Sequence, residues 1–151
     1  MHSVPVHVTF LSPLWSESDL CGATAGACGL DLKACFPEEC RILLPGERTA
    51  IPAGLAIEIR QPGIAGFIYS RSGLGTKQGL VVSQGVGVID PDYRGELIVS
   101  LLNTSGDERT VIRGQRIAQL IFQSFFPAVF RVCDELSATP RGAGGFGHTG
   151  L

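Results

Sequence analysis

Short runs of β-branched and aromatic residues, broken by proline and glycine, recur along the whole chain, and this rhythm constrains the fold more than any single residue does. Runs rich in Val, Ile, Leu and Phe occupy residues 4–10, 30–36, 40–44, 49–51, 55–60 and 66–69, then 80–82, 86–89, 97–103, 109–112, 116–123 and 128–132. Pro45-Gly46, Pro52-Ala53-Gly54, Gln61-Pro62-Gly63 and Ser105-Gly106-Asp107 supply turns between them. Strands of this length and spacing predict an all-β sandwich, jelly roll or barrel and argue against βαβ units. Residues 72–77 are the exception, where a serine near the start could open one short helix.

A chain of 151 residues most simply makes one domain with room for a real core. Charged residues are only 17% of it, below the typical ~25%, which leaves apolar surface that a second copy of the chain would cover. The mean hydropathy is +0.26, yet no apolar run approaches the length that spans a bilayer. A net charge of -2 gives no electrostatic footprint for nucleic acid, so an anionic ligand would need local arginines or a divalent cation. Cys21, Cys28, Cys35, Cys40 and Cys133 are odd in number and contain no C-x-x-C pair, so neither a zinc site nor a complete disulfide set is expected. Reduced thiols in a cytoplasmic protein fit better, with Cys28 and Cys35 as small core fillers and Cys21 exposed in a glycine-rich loop. Residues 4–14 lack a basic flank and carry two prolines, so they read as a first strand and not as a signal peptide.

Chemistry concentrates in three places. The alternation from residue 81 to 89, a turn at Pro91-Asp92 and a return run over 97–102 predict a hairpin that presents Asp90 and Tyr93 at its tip. Arg71-Ser72-Gly73 opens the short helix, and unpaired N–H groups with a positive dipole end suit phosphate there; the same residues also suit an ordinary capped turn. The segment RGAGGFGHTGL, residues 141–151, formally satisfies G-x-G-x-x-G, but no helix of a βαβ unit follows it, so the dinucleotide reading is rejected. Glycine makes this stretch costly to order, while Arg141, Phe146, His148 and Thr149 supply a phosphate clamp, a stacking ring and polar donors that could close over a nucleotide.

Five ordered segments together resemble the trimeric dUTP pyrophosphatase (dUTPase) family. They are Ala27-Cys28-Gly29-Leu30-Asp31-Leu32-Lys33-Ala34, Ser70-Arg71-Ser72-Gly73-Leu74-Gly75, and Gly87-Val88-Ile89-Asp90-Pro91-Asp92-Tyr93-Arg94-Gly95-Glu96. Gly114-Gln115-Arg116-Ile117-Ala118-Gln119-Leu120-Ile121-Phe122 is the fourth, and the tail from Arg141 through Gly147 and His148-Thr149-Gly150 is the fifth. Two positions depart from the pattern. Ser70 stands where the family often has proline, which would loosen the start of the phosphate loop. Gln84 stands where many members place an asparagine; it keeps the donor and acceptor of the amide and adds a methylene.

The resemblance implies a β jelly roll or β-clip with at most one short helix, a body over 1–137, and a glycine-rich arm over 138–151. It also implies a homotrimer in which each active site draws on three copies. The implied reaction is hydrolysis of dUTP to dUMP and pyrophosphate, limiting uracil in DNA and supplying dUMP for dTMP synthesis. Asp90 would activate the water that attacks the α-phosphorus, and Tyr93 would lie under the deoxyribose and exclude a 2′-hydroxyl. Gln84, Gly87 and Val88 would read the uracil edge, and Phe146 with Gly147 would cover the base. Arg71, Ser72, Gly73 and Gln119 would hold the triphosphate, with Arg141, His148 and Thr149 closing from the tail. Mg2+ would be chelated by the phosphates and keep its waters, with Asp31 contacting that shell indirectly; Asp31 would equally serve as a structural strand-edge acid. Arg94 and Arg116 read as structural ion-pair residues. The competing readings are a dCTP deaminase-type enzyme, possibly bifunctional, and a dUTP-binding regulatory protein. Against the first, no separate glutamate-centred deamination motif is found in the sequence.

Overall fold

The computed structural model describes residues 3–22, 24, 26–145 and 148. Its strands are β1 (Val6–Phe10), β2 (Leu30–Lys33), β3 (Cys40–Leu43), β4 (Arg48–Ile59), β5 (Ile64–Ser70), β6 (Leu80–Val82), β7 (Gly87–Ile89), β8 (Glu96–Asn103), β9 (Arg109–Ile112) and β10 (Arg116–Ser124). One α-helix, α1 (Ser72–Gln78), and a 3-10 turn, Glu17–Leu20, complete the regular structure of the described residues. The strands form two four-stranded antiparallel sheets, ordered β1-β4-β8-β6 and β2-β10-β5-β7, and a two-stranded ribbon β3-β9. Leu32, Phe36, Ile51, Leu55, Ile68, Leu97, Leu101, Ile117 and Leu120 fill the interior. The all-β expectation holds, and so does the short helix after Arg71. Among the described residues, no helix is long and apolar enough to cross a membrane.

Several local expectations are corrected. Pro52-Ala53-Gly54 does not end a strand, because β4 runs through it with a bulge between Pro52, opposite Ile98, and Ala56, opposite Glu96. Three carbonyls and one amide at the bulge find partners outside the ladder. Cys35 N donates to Pro52 O at 2.8 Å, Trp15 Nε1 to Ala53 O at 2.7 Å, Leu11 N to Gly54 O at 2.8 Å, and Gly54 N to Glu96 Oε1 at 2.9 Å. The bulge lets one half of β4 pair with β8 and the other half with β1. Gly54 has φ +70°, and a Cβ there would sit 2.6 Å from both Cys35 Sγ and Ser12 Cβ. Gly54→Ala is therefore expected to cost about 2–4 kcal/mol, left-handed strain plus overpacking, read as a lower denaturant midpoint.

The second correction concerns the expected hairpin. Residues 81–89 are not one strand: β6 ends at Val82, a turn closes with Gly85 N donating to Val82 O at 3.0 Å, and β7 begins at Gly87. β7 then pairs with β5, while the return strand β8 pairs with β4 and β6 in the other sheet. Asp90 to Tyr93 is thus a crossover between sheets and not a hairpin tip. The alternation in the sequence gives a strand but not its partner.

Third, residues 128–132 form no strand. The chain leaves the sheet after Phe125 N donates to Gly63 O, and Phe126 and Phe130 are 91% and 92% exposed. A strand needs a partner edge, and among the described residues no edge pairs with that segment. Cys28, expected as a core filler, is exposed, whereas Cys35 is part-buried and burial pushes its thiol pKa up.

Candidate active site

β5 and β10 bring the second and fourth sequence motifs side by side, with Ala118 opposite Ser70 and Gln119 opposite Tyr69. β2 lies on the other flank of β10 and sets Asp31 opposite Gln119. A bulge between Arg116 and Ala118 inserts Ile117 as an extra residue and turns Arg116 to the face of Asp31. Asp31 then accepts from Arg71 Nε at 2.9 Å, from Arg116 Nη1 at 3.0 Å and, weakly, from Gln119 Nε2 at 3.5 Å. Its side chain is 13% exposed, so these are partly desolvated, charge-assisted bonds and hold the guanidinium planes in place. Arg71 also donates to Arg116 O at 3.2 Å.

Beside this cluster, at the start of α1, opens a cavity of about 450 Å³ with Arg71, Ser72, Gly73, Lys77, Arg116 and Gln119 on its wall. No carboxylate lines it, so its wall is cationic, with helix N–H groups adding to the field. Gly73 leaves open space where a side chain would stand, which admits a ligand close to the backbone. Ser70 does not loosen this corner: its Oγ accepts from Val82 N at 2.8 Å and ties the end of β5 to β6. Lys77 was not singled out from the sequence, although its i, i+4 spacing from Gly73 places it on the same helix face. Arg116 was read as a structural ion-pair residue; it does pair with Asp31, and it also forms part of the wall.

A neighbouring hollow is lined by Asp19, Cys21, Asp31 and Lys33. Lys33 Nζ lies 2.6 Å from Asp19 and 4.9 Å from the Trp15 ring centroid. Lys33, then the Ser16 hydroxyl and amide, lower the Asp19 pKa to about 2.

The third motif forms a second cluster. Gly87 is buried, and Gln84 folds back so that its Nε2 lies 3.5 Å from the place a Gly87 Cβ would take. Val88 and Asp90 face solvent. Tyr93, 42% exposed, donates its hydroxyl to Glu96 O at 2.9 Å, and its ring lies against Gly95, where any Cβ would overlap it. Arg94 pairs with Glu58 at 3.5 Å, as a structural ion-pair residue would.

Within one chain the two clusters do not converge. Ile89 pairs with Gly66 at one end of β5, and Arg71 follows the other end. Asp90 and Arg71 are thus separated by roughly 20 Å of strand at ~3.3 Å per residue. Arg71 also points across β10 to Asp31 on β2, away from β7. In the tail, Arg141 Nε donates to Gly144 O at 2.9 Å, and His148 packs on Gly144. Arg141 and His148 are exposed, while the expectations for Phe146, Gly147 and Thr149 fall outside the described residues.

The described residues contain no group of three or more His, Cys, Asp or Glu able to hold a metal by themselves. Both oxygens of Asp31 are engaged by arginines. This donor set does not make an all-protein cage; it suits a cation that arrives already chelated by a polyphosphate and keeps its waters.

The fold is shared with solved dUTPases. A mutant of the Staphylococcus bacteriophage 80alpha dUTPase, determined with dUpNHpp, superposes with a TM-score of 0.83 at 23% identity, covering 97% of this chain and 99% of the other. A mutant dUTPase from phage phi11 of S. aureus, described with a structural Mg(II) ion, gives 0.75 at 21% over 89% and 99%. Among curated relatives, the deoxyuridine 5'-triphosphate nucleotidohydrolase of Enterobacter sp. (strain 638) is 49% identical over 128 residues, 85% of this chain and 84% of its own. That of Desulfitobacterium hafniense (strain DSM 10664 / DCB-2) is 47% identical over 129 residues, 85% of each. With the dUTPase family model matching residues 17–150 as well, the chain belongs to the dUTPase family.

Proposed function

We propose that this protein hydrolyses dUTP to dUMP and pyrophosphate. The observation that carries this is the carboxylate-free, arginine-walled cavity at the start of α1, in a chain nearly half identical to deoxyuridine 5'-triphosphate nucleotidohydrolases. Its wall suits a triphosphate: Arg71 and Arg116 offer planar donor pairs, Ser72 and Gly73 offer a hydroxyl and open backbone, and Gln119 adds an amide. Mg2+ arriving on the phosphates would supply charge neutralisation there, with Asp31 as the carboxylate that would contact its waters indirectly.

Asp90 takes the proton of a water that attacks the α-phosphorus in line. The new P–O bond forms as the bond to the β-phosphate's bridging oxygen breaks, pyrophosphate leaves with that electron pair, and Asp90 returns its proton to solvent. Tyr93 fills the space where a 2′-hydroxyl would go. Gln84 and the backbone of Gly87 and Val88 pair with the uracil edge, where cytosine would leave buried donors unmatched.

The site is completed by other copies of the chain in a homotrimer. Two features support this: the separation of Asp90 from Arg71 within one chain, and the exposed apolar stretch with Phe126, Val129, Phe130 and Leu136, which a neighbouring copy would cover. The arm over 138–151 then brings Arg141, Phe146, Gly147, His148 and Thr149 over a nucleotide bound elsewhere.

The test is pyrophosphate and ammonia release from dUTP, dCTP, dTTP and UTP with and without Mg2+. Pyrophosphate from dUTP, dependent on Mg2+, is the expected result. Ammonia from dCTP would point to a deaminase, and tight dUTP binding without release to a regulatory protein.

A further inference from the structure

The crossover that carries Asp90 and Tyr93 leaves one sheet at Ile89 and joins the other at Glu96, and Pro91 has no N–H to give. A turn bond from Tyr93 N to Asp90 O at 3.1 Å and the Tyr93 hydroxyl on Glu96 O at 2.9 Å brace it locally. Two further carbonyls of this loop converge on a single nitrogen. Arg94 Nη1 donates to Pro91 O at 2.7 Å and to Tyr93 O at 3.0 Å. That nitrogen carries two hydrogens, so each carbonyl has its own. Nη2 of the same guanidinium faces Glu58 Oε1 on β4 at 3.5 Å, and Arg60 Nη1 holds that oxygen at 2.7 Å. One planar group thus ties the crossover to β4, in the sheet that the chain is about to join through β8.

We propose that Arg94 is a positioning residue for the reaction: its fork fixes the crossover so that the Asp90 carboxylate meets the attacking water in line. The proposal rests on the reading of Asp90 as the general base. The Arg94 side chain is 51% exposed, so water can take over both carbonyls when the guanidinium is removed, and the exposed pair with Glu58 contributes little to stability. The geometry is not replaced in the same way. Water imposes no fixed shape on the loop, and a misplacement of about 1 Å costs up to about 10²-fold in rate. Loss of Arg94 therefore falls on turnover more than on folding. It acts through Asp90, since the guanidinium points to the backbone of the loop and to Glu58.

The experiment is a double-mutant cycle on the single-turnover rate of pyrophosphate release from dUTP with Mg2+, using the native protein, Arg94→Ala, Asp90→Asn and the double variant, with thermal melting of each. Arg94→Ala is expected to lower the rate about tenfold in the native background and less than twofold in the Asp90→Asn background, where no base is left to misplace, with a melting temperature close to native. A purely structural role would lower the rate by the same factor in both backgrounds. That result, or an Arg94→Ala rate within about twofold of native, overturns the proposal. Should Arg94→Ala fail to fold, Arg94→Lys goes through the same cycle with the same expectation: it keeps the charge near Glu58 but offers one nitrogen where the fork offers two. Failure of the Asp90 reading shows itself separately, as Asp90→Asn alone turning over dUTP like the native protein, and takes this proposal with it.

Discussion

Asp90→Asn is expected to remove nearly all turnover of dUTP while leaving dUTP binding in place. Asparagine matches the carboxylate in shape and keeps the solvent-facing position, so the crossover from β7 to β8 should fold unchanged. What it lacks is an oxygen able to take a proton at neutral pH. General-base removal costs roughly 10²–10⁴-fold in rate, and the loss should fall on kcat with KM changed little. Single-turnover pyrophosphate release, with dUTP binding measured by calorimetry, separates the two. Retained turnover would remove Asp90 from the chemistry and leave it as a turn residue, whose carbonyl accepts from Tyr93 N at 3.1 Å.

Removal of residues 141–151 is the second large effect. The described part of the arm holds itself in turns, with Gly142 N donating to Thr139 O and Gly144 N to Arg141 O, both at 3.0 Å. Within the described residues, 126–145 are exposed apart from part-buried Gly144, and none belongs to the core. The truncated protein should therefore melt and assemble as the full chain does. Its turnover should fall by roughly 10²-fold or more if, as proposed, the donors and the ring of this arm hold the substrate in its reactive geometry. Full activity in the truncated protein would refute the assignment of Arg141, Phe146, Gly147, His148 and Thr149 to the substrate.

Much of this was legible in the sequence because the decisive signals were local. The runs at 80–82 and 109–112 became β6 and β9 with those bounds, and Arg71-Ser72-Gly73 opened α1 as its composition suggested. The signals failed where the answer depended on a distant partner. Nothing near residue 89 tells β7 to pair with β5 and not with β8. Pro52-Ala53-Gly54 reads as a turn until Cys35, Trp15, Leu11 and Glu96 arrive to satisfy its backbone. Residues 128–132 carry strand chemistry and find no edge among the described residues. At the site, the resemblance grouped Arg71, Ser72, Gly73 and Gln119, and the cavity wall gathers them. The additional wall residues, Lys77 and Arg116, needed the helix face and the bulge at Ile117 to be seen. The separation of Asp90 from Arg71 follows only from the strand register.

Subunit complementation reads that separation out directly. Asp90→Asn and Arg71→Ala proteins, each nearly inactive alone, are unfolded together in equal amounts and refolded, and dUTP turnover of the mixture is measured. If Asp90 and Arg71 of one site come from different copies, random assembly restores about a quarter of the sites, and activity returns to about that fraction of the native rate. If both residues of a site came from one chain, no mixture could assemble an intact site, and a mixture as inactive as its two parents would contradict the account.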